Sequence, residues 1–410
     1  METARRGLLQ GLLALAATRP AAADEEDRTG GRLSPWRPGG LDIHHIATGR
    51  GDSSLIIGPD GASLMIDAGA MYQLPPMTVK GEPSDSRSPG EWIARYVERR
   101  LRDTGRKGID TLLVTHLHPD HLGDLAPWLP KAGSGGYQLT GISAVAARLP
   151  IGLVLDRGYP DYDWPAPQTA PFAQNYIAFI RARVAAGGAV ARFQAGRSDQ
   201  IKLADAVSVR NLAANGEVWT GQGEGMVQHI PPIASLKPQD VPEENVLSCA
   251  LRLSYGRFRY FAAGDLTSST FDGDLPWRDM ATPAAQACGP VDVAVAPHHG
   301  LFDSSSAGMV RALRPRIWLI DAWHVSHPGM TTLERLFSER LYPGPRDALS
   351  TALAPANDLI NDRMTRHLAS KSGHIVVRVA PGGTRYRVVV TGNRDEADRI
   401  IKVLGPFDLA

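Results

Sequence analysis

An apolar run, Thr111-Leu112-Leu113-Val114, leads into Thr115-His116-Leu117-His118-Pro119-Asp120-His121, which places three imidazoles and a carboxylate within residues 116–121. Such a run reads as a buried strand, with the polar cluster in the loop at its C-terminal end. His116 and His118 alternate, so an extended backbone points both to one side. Asp120 and His121 lie past Pro119, at the start of a helix, where they can serve a second metal. Neutral imidazoles and carboxylates are the donors that borderline metals such as zinc take. Burying this many polar groups without partners would be costly, which argues against a packing origin.

The rest of the composition narrows the chemistry. The 410 residues are ample for a large core, and length alone allows one to three domains. Lys+Arg number 44 against 43 Asp+Glu, so bulk charge points neither to nucleic acid nor to an anionic membrane. A nucleic-acid substrate would need a local basic groove. Cys249 and Cys288 are the only cysteines, too few for a disulfide framework or a thiolate metal site. Arg5-Arg6, the apolar Gly11–Ala17 and Ala21-Ala22-Ala23 match a twin-arginine export signal over residues 1–23. That reading implies a periplasmic or secreted protein, and no other stretch is apolar and long enough to span a bilayer.

Along the chain, runs at 53–57 and 63–66 flank Gly58-Pro59-Asp60-Gly61 as a β-hairpin ending at Asp67. Ser88-Pro89-Gly90-Glu91 reads as a capping box that opens a helix. Residues about 130–245 look less regular, and we read them as an insertion hung on a core domain of residues 40–392, with a tail at 393–410. Within the insertion, the aromatic stretch Tyr159–Pro165 is either a substrate wall or a structural excursion. Strands are expected at 246–254, 257–263, 291–296 and 316–320, and a closing hairpin at 375–379 and 385–391. Helices are expected after Ser304–Ser306 and around Thr331 and Glu334. His44 and His45 sit in an early strand as structural residues.

Several strands therefore end in a ligand type: Asp67, His116/His118, Asp265 and His298/His299. This order of motifs resembles the metallo-β-lactamase superfamily, which implies a four-layer αββα sandwich. Gly49-Arg50-Gly51-Asp52-Ser53, Asn245-Val246-Leu247-Ser248, Ala262-Ala263-Gly264-Asp265 and Ala296-Pro297-His298-His299-Gly300 are similar, more narrowly, to the extracytoplasmic hydrolase domain of bacterial DNA-uptake channel proteins. The resemblance implies a two-metal site. His116 and His118 would bind one ion; Asp120, His121 and one of His298/His299, for preference His299, would bind the other. Asp265 would bridge both ions, and Asp67 would orient a ligand. A third His for the first ion, where the superfamily has one, can come only from His229, the sole His between residues 121 and 265. His327, before Pro328, aligns with a substrate-binding His-Pro of the same branch.

The implied activity is that of a metal-dependent hydrolase, with two zinc ions or with manganese or iron in their place. Asp120 and Asp265 would hold the ions and position water, and His298 or His327 would serve substrate or leaving group. A phosphodiester is the first-choice substrate. Acyl hydrolysis of a lactone, thioester or β-lactam, and a metal-bound sensing protein without turnover, stand as alternatives.

Overall fold

The computed structural model describes residues 27–72, 76–133 and 136–409. The export-signal reading of residues 1–23 falls outside them. The first sheet begins with β1 (Leu41–His45) and the expected hairpin, β2 (Ser54–Ile57) and β3 (Ser63–Ile66). It continues with β4 (Ile109–Val114), β5 (Ile151–Asp156) and β6 (Ala189–Arg192), each parallel to the strand before it from β3 onward. Parallel pairing needs crossovers, and helices provide them: α1 (Pro89–Arg102), then α2 (Pro119–Leu122) with α3 (Gly141–Arg148), then α4 (Pro171–Ala185). The Ser88–Glu91 capping box opens α1 as expected.

The second sheet follows with β7 (Val207–Ala214), β8 (Glu217–Trp219), β9 (Met226–Gln228), β10 (Ala250–Tyr255) and β11 (Phe258–Ala262). Its parallel half is β12 (Val293–Val295), β13 (Ile317–Ile320) and β14 (Asp347–Ser350). The crossovers there are α5 (Ala281–Cys288), α6 (Ala307–Leu313) and α7 (Met330–Leu336). The chain then returns to the first sheet as β15 (His374–Val379), β16 (Arg385–Thr391) and β17 (Ile400–Asp408). The strand orders are β17-β16-β15-β1-β2-β3-β4-β5-β6 and β14-β13-β12-β11-β10-β7-β8-β9.

Strand periodicity builds the layers. Leu113, Val293 and Leu319 belong to the cluster shared by the two sheets. Leu112 and Val114 pack with Ile93, Val97 and Val145 of α1 and α3, while Ala294, Trp318 and Ile320 pack with α5, α6 and α7. The result is helices, sheet, sheet, helices. Each fully buried Leu, Ile or Val along these strands contributes about 1.5–3 kcal/mol.

Residues 130–245 supply β5 and β6 to one sheet and β7, β8 and β9 to the other. Within residues 393–410, 400–408 form β17 against β16. The helix near Thr331 starts from Gly329 without a side-chain cap.

Candidate metal centre

The parallel strands of both sheets end at one place. After β4, Thr115 donates its N–H to Asp67 Oδ1 (2.8 Å) and its hydroxyl to Oδ2 (2.6 Å), which pins the metal loop to the end of β3. His121 Nδ1 lies 2.8 Å from the same Oδ2. A carboxylate oxygen accepts, so Nδ1 carries a proton and Nε2 is the nitrogen left to face a metal. From behind, Leu117 donates its N–H to Glu244 (2.9 Å), and Glu244 is held by the guanidinium of Arg157. Arg157 is therefore ion-paired. Backbone crowding fixes Asp120: a Cβ on Gly69 would lie 1.9 Å from the Asp120 carbonyl oxygen, and one on Gly51 (φ 134°) 2.4 Å from it. Both positions need glycine.

The opposing sheet brings Asp265, just past β11, and the pair after β12. Asp265 Oδ1 is 3.1 Å from His121 Nε2; its Oδ2 is 3.3 Å from His299 Nε2 and 3.7 Å from His116 Nε2. His116 Nε2 is 3.1 Å from His118 Nδ1, and His299 Nε2 is 2.9 Å from Asp120 Oδ2. His298, His299 and Gly300 are all left-handed (φ 48°, 54° and 70°). For the two histidines this costs about 1–3 kcal/mol each, a kind of strain that gathers at functional sites. The turn separates their roles. His299 faces the cluster, whereas His298 Nδ1 meets Asp303 (2.8 Å) and its Nε2 accepts from Asn245 (3.2 Å).

His327 stacks on His299 with ring centroids 4.5 Å apart; it is buried, and its Nδ1 has no partner among the described residues. His324 bonds Ser326. His229 is not brought to the cluster. It follows β9, the far edge of the second sheet, where its N–H donates to the Gly216 carbonyl. Among the described residues it has no ring contact or ion pair with the others. Trp164 of the aromatic stretch lines a cavity of about 860 Å³ that includes none of the cluster residues.

The electrostatics fit a cation. Burial disfavours charge on His121 and His299, yet Asp265 and the neighbouring carboxylates outweigh it and raise both imidazoles well above their ordinary value. Burial likewise opposes ionisation of Asp120 and Asp265, but His121 and His299 hold both carboxyls low. His116 goes the other way: burial, then the charge of His121, depresses it. The buried carboxylates thus call for positive charge, which divalent ions can supply to neutral imidazole donors. His121 Nε2 and Asp265 Oδ1 are both buried, 3.1 Å apart, and neither has a hydrogen-bond partner among the described residues. A metal taking the place of the Nε2 proton between them would satisfy both atoms.

Asp52 is a site residue the sequence reading missed. It joins His121, Asp265 and His299 in a set whose donor atoms lie within 4.8 Å of one another. Burial pushes its carboxyl up to about 7 against the pull of His299. The only local signal was Gly51-Asp52 before β2. The Asp321 carbonyl oxygen, just past β13, lies 2.9 Å from His299 Nδ1.

Residues 47–137 match the family model described as the metallo-beta-lactamase superfamily. No curated protein matches the chain. Solved structures similar to it include a putative metal-dependent hydrolase from Parabacteroides distasonis, with 14% identity over 76% of this chain and 92% of that one (TM-score 0.37). Zn(2+)-bound PqqB from Methylobacterium extorquens shows 11% identity over 65% and 75% (TM-score 0.33). The short form of human tRNase Z shows 10% identity over 68% and 91% (TM-score 0.31).

Proposed function

We propose that this protein, whose residues 47–137 match the metallo-beta-lactamase superfamily model, is a metallo-hydrolase that cleaves a phosphodiester at a site for two divalent metals, zinc in the first instance. One observation carries the reading: imidazole nitrogens and carboxylate oxygens from both sheets converge within 4.8 Å, with orphaned lone pairs among them. In this reading His116 and His118 hold the first ion, and Asp120, His121 and His299 the second. Asp265, within 3.7 Å of three of the imidazoles, would serve as a ligand common to both ions. His229 is left out, so His116, His118 and Asp265 are the residues that would hold the first ion.

Bound there, the ions supply a water of lowered pKa and positive charge against the oxygens of the phosphoryl group. The chain's own residues do the rest. Asp67 keeps the His121 proton on Nδ1. Asp120 and Asp265, held ionised by His121 and His299, would serve as carboxylate ligands and orient water at the site. His298, held at Nδ1 by Asp303 and at Nε2 by Asn245 and still partly open to solvent, is placed to contact substrate at the rim of the site. His327, buried against His299, faces substrate oxygen. We place the protein outside the cytoplasm, on the twin-arginine pattern of residues 1–23, and the motif resemblance to DNA-uptake hydrolase domains drawn from the sequence keeps a nucleic-acid phosphodiester within the reading.

The test is turnover of bis(p-nitrophenyl) phosphate beside a simple lactone and nitrocefin, with metal content quantified. Phosphodiester cleavage that is lost in His116→Ala and on chelation, and restored by zinc, is the expected result. Cleavage of the acyl substrates alone would overturn the phosphodiester reading.

A further inference from the structure

We infer that Asp52 is the positioning residue that turns His299 into an Nε2 metal donor, an inference that rests on the two-metal reading above. His299 Nδ1 lies 2.9 Å from Asp52 Oδ1 and 2.9 Å from the Asp321 carbonyl oxygen. Both are acceptors, so Nδ1 keeps a proton shared between them, and Nε2, which faces Asp120 and Asp265, is the nitrogen that would give up its proton to a metal. The two acceptors come from different sheets: Asp52 precedes β2, and Asp321 follows β13. The main chain of Asp52 is itself tied to the metal loop. Its N–H donates to the Asp120 carbonyl (2.8 Å), and its carbonyl accepts from Gly69 (2.8 Å). One residue therefore sets the imidazole with its side chain and registers that imidazole against Asp120 with its backbone. The other acceptor is anchored in turn, since the Asp321 carboxylate meets His45 Nδ1 at 2.8 Å. A carboxylate on the outer nitrogen also makes the imidazole a stronger donor, which a backbone carbonyl does less well.

The arrangement allows a different role, direct ligation by Asp52, and two substitutions separate the roles. In Asp52→Asn an amide oxygen still accepts the Nδ1 proton but is a poor metal ligand. In Asp52→Ala the acceptor is gone. Zinc binding to wild type and both variants would be measured by competition with a chromophoric chelator. The exchangeable imidazole N–H signals of the cobalt(II)-loaded proteins would be followed by NMR. Positioning predicts that Asp52→Ala weakens one of the two zinc equivalents by about 10–100-fold and speeds exchange of one imidazole proton. It also predicts that Asp52→Asn, which keeps the fold even should the alanine variant not, recovers most of that affinity. Equal affinity in Asp52→Ala and wild type would overturn the inference, because the Asp321 carbonyl would then suffice. Equal losses in both variants would overturn it in favour of direct ligation. A wild-type protein that takes up only one zinc would instead overturn the two-metal reading.

Discussion

Replacing Asp67 by Asn removes one charge and exchanges one acceptor for a donor, with little change in shape. Asp67 is left-handed (φ 57°), a conformation that Asn tolerates, so the backbone cost is small. The cost falls on three donors: the Thr115 N–H on Oδ1, and the Thr115 hydroxyl and His121 Nδ1 on Oδ2. With the amide nitrogen in place of Oδ2, the Thr115 hydroxyl can reverse, but the His121 proton has no acceptor. With the amide nitrogen in place of Oδ1, the Thr115 N–H faces a donor. Either way one buried donor is stranded, a destabilisation of about 1–3 kcal/mol. His121 can escape only by moving its proton to Nε2, which removes the lone pair a metal needs. Metal affinity should then fall about 10–100-fold. Urea denaturation of the metal-free protein measures the first number and chelator competition the second. A stable, folded variant with undiminished metal affinity would refute the claim that Asp67 chooses the donor nitrogen of His121.

Three further outcomes are expected. His229→Ala should leave metal content and affinity unchanged, whereas His299→Ala should lose one equivalent; a loss of metal in the first variant would reinstate His229 as a ligand. His374 is buried, accepts the Ala47 N–H on Nδ1 (3.0 Å) and is depressed to about 3 by burial and then by Arg99 and Arg100. Between about pH 6.5 and 3 the unfolded chain binds a proton there that the folded chain does not. Stability therefore falls as pH drops below about 6.5, by up to about 1.4 kcal/mol per pH unit from this group. His374→Asn, which can keep the acceptor, should flatten the fall in urea midpoint by that share, and parallel curves would refute it. Trp318→Ala, which empties a fully buried site between β13 and its helices, should cost about 3–5 kcal/mol, read by the same denaturation.

What could be read from the chain alone follows the range of the interactions. The β2–β3 hairpin, the Ser88 cap, β4 and the loop after it are set by neighbours a few residues apart, and they stand within a residue of where the pattern puts them. β5 hides because Gly152 and a half-buried Leu153 interrupt its apolar run, and β6 has only four residues, none fully buried. β17 carries Gly405-Pro406, which reads as a tail; an edge strand tolerates a proline, since half its backbone faces no partner. Val246–Cys249 looks like strand but turns instead, with the Cys249 N–H donating to the Thr115 carbonyl, so β10 starts only at Ala250. Asp52 was out of reach for the same reason of range: the imidazole it meets lies 247 residues away.

The candidate donors around the centre are drawn from both sheets. His116, His118, Asp120 and His121 follow β4, while Asp265 and His299 follow β11 and β12. A cation gripped by both sets acts as a rivet through the seam of the sandwich, and it binds the assembled seam far better than either half. Each tenfold excess of free metal over its dissociation constant then adds about 1.4 kcal/mol against unfolding. Metal supply in the surroundings would govern how long the folded protein survives proteases, and not only how fast it turns over.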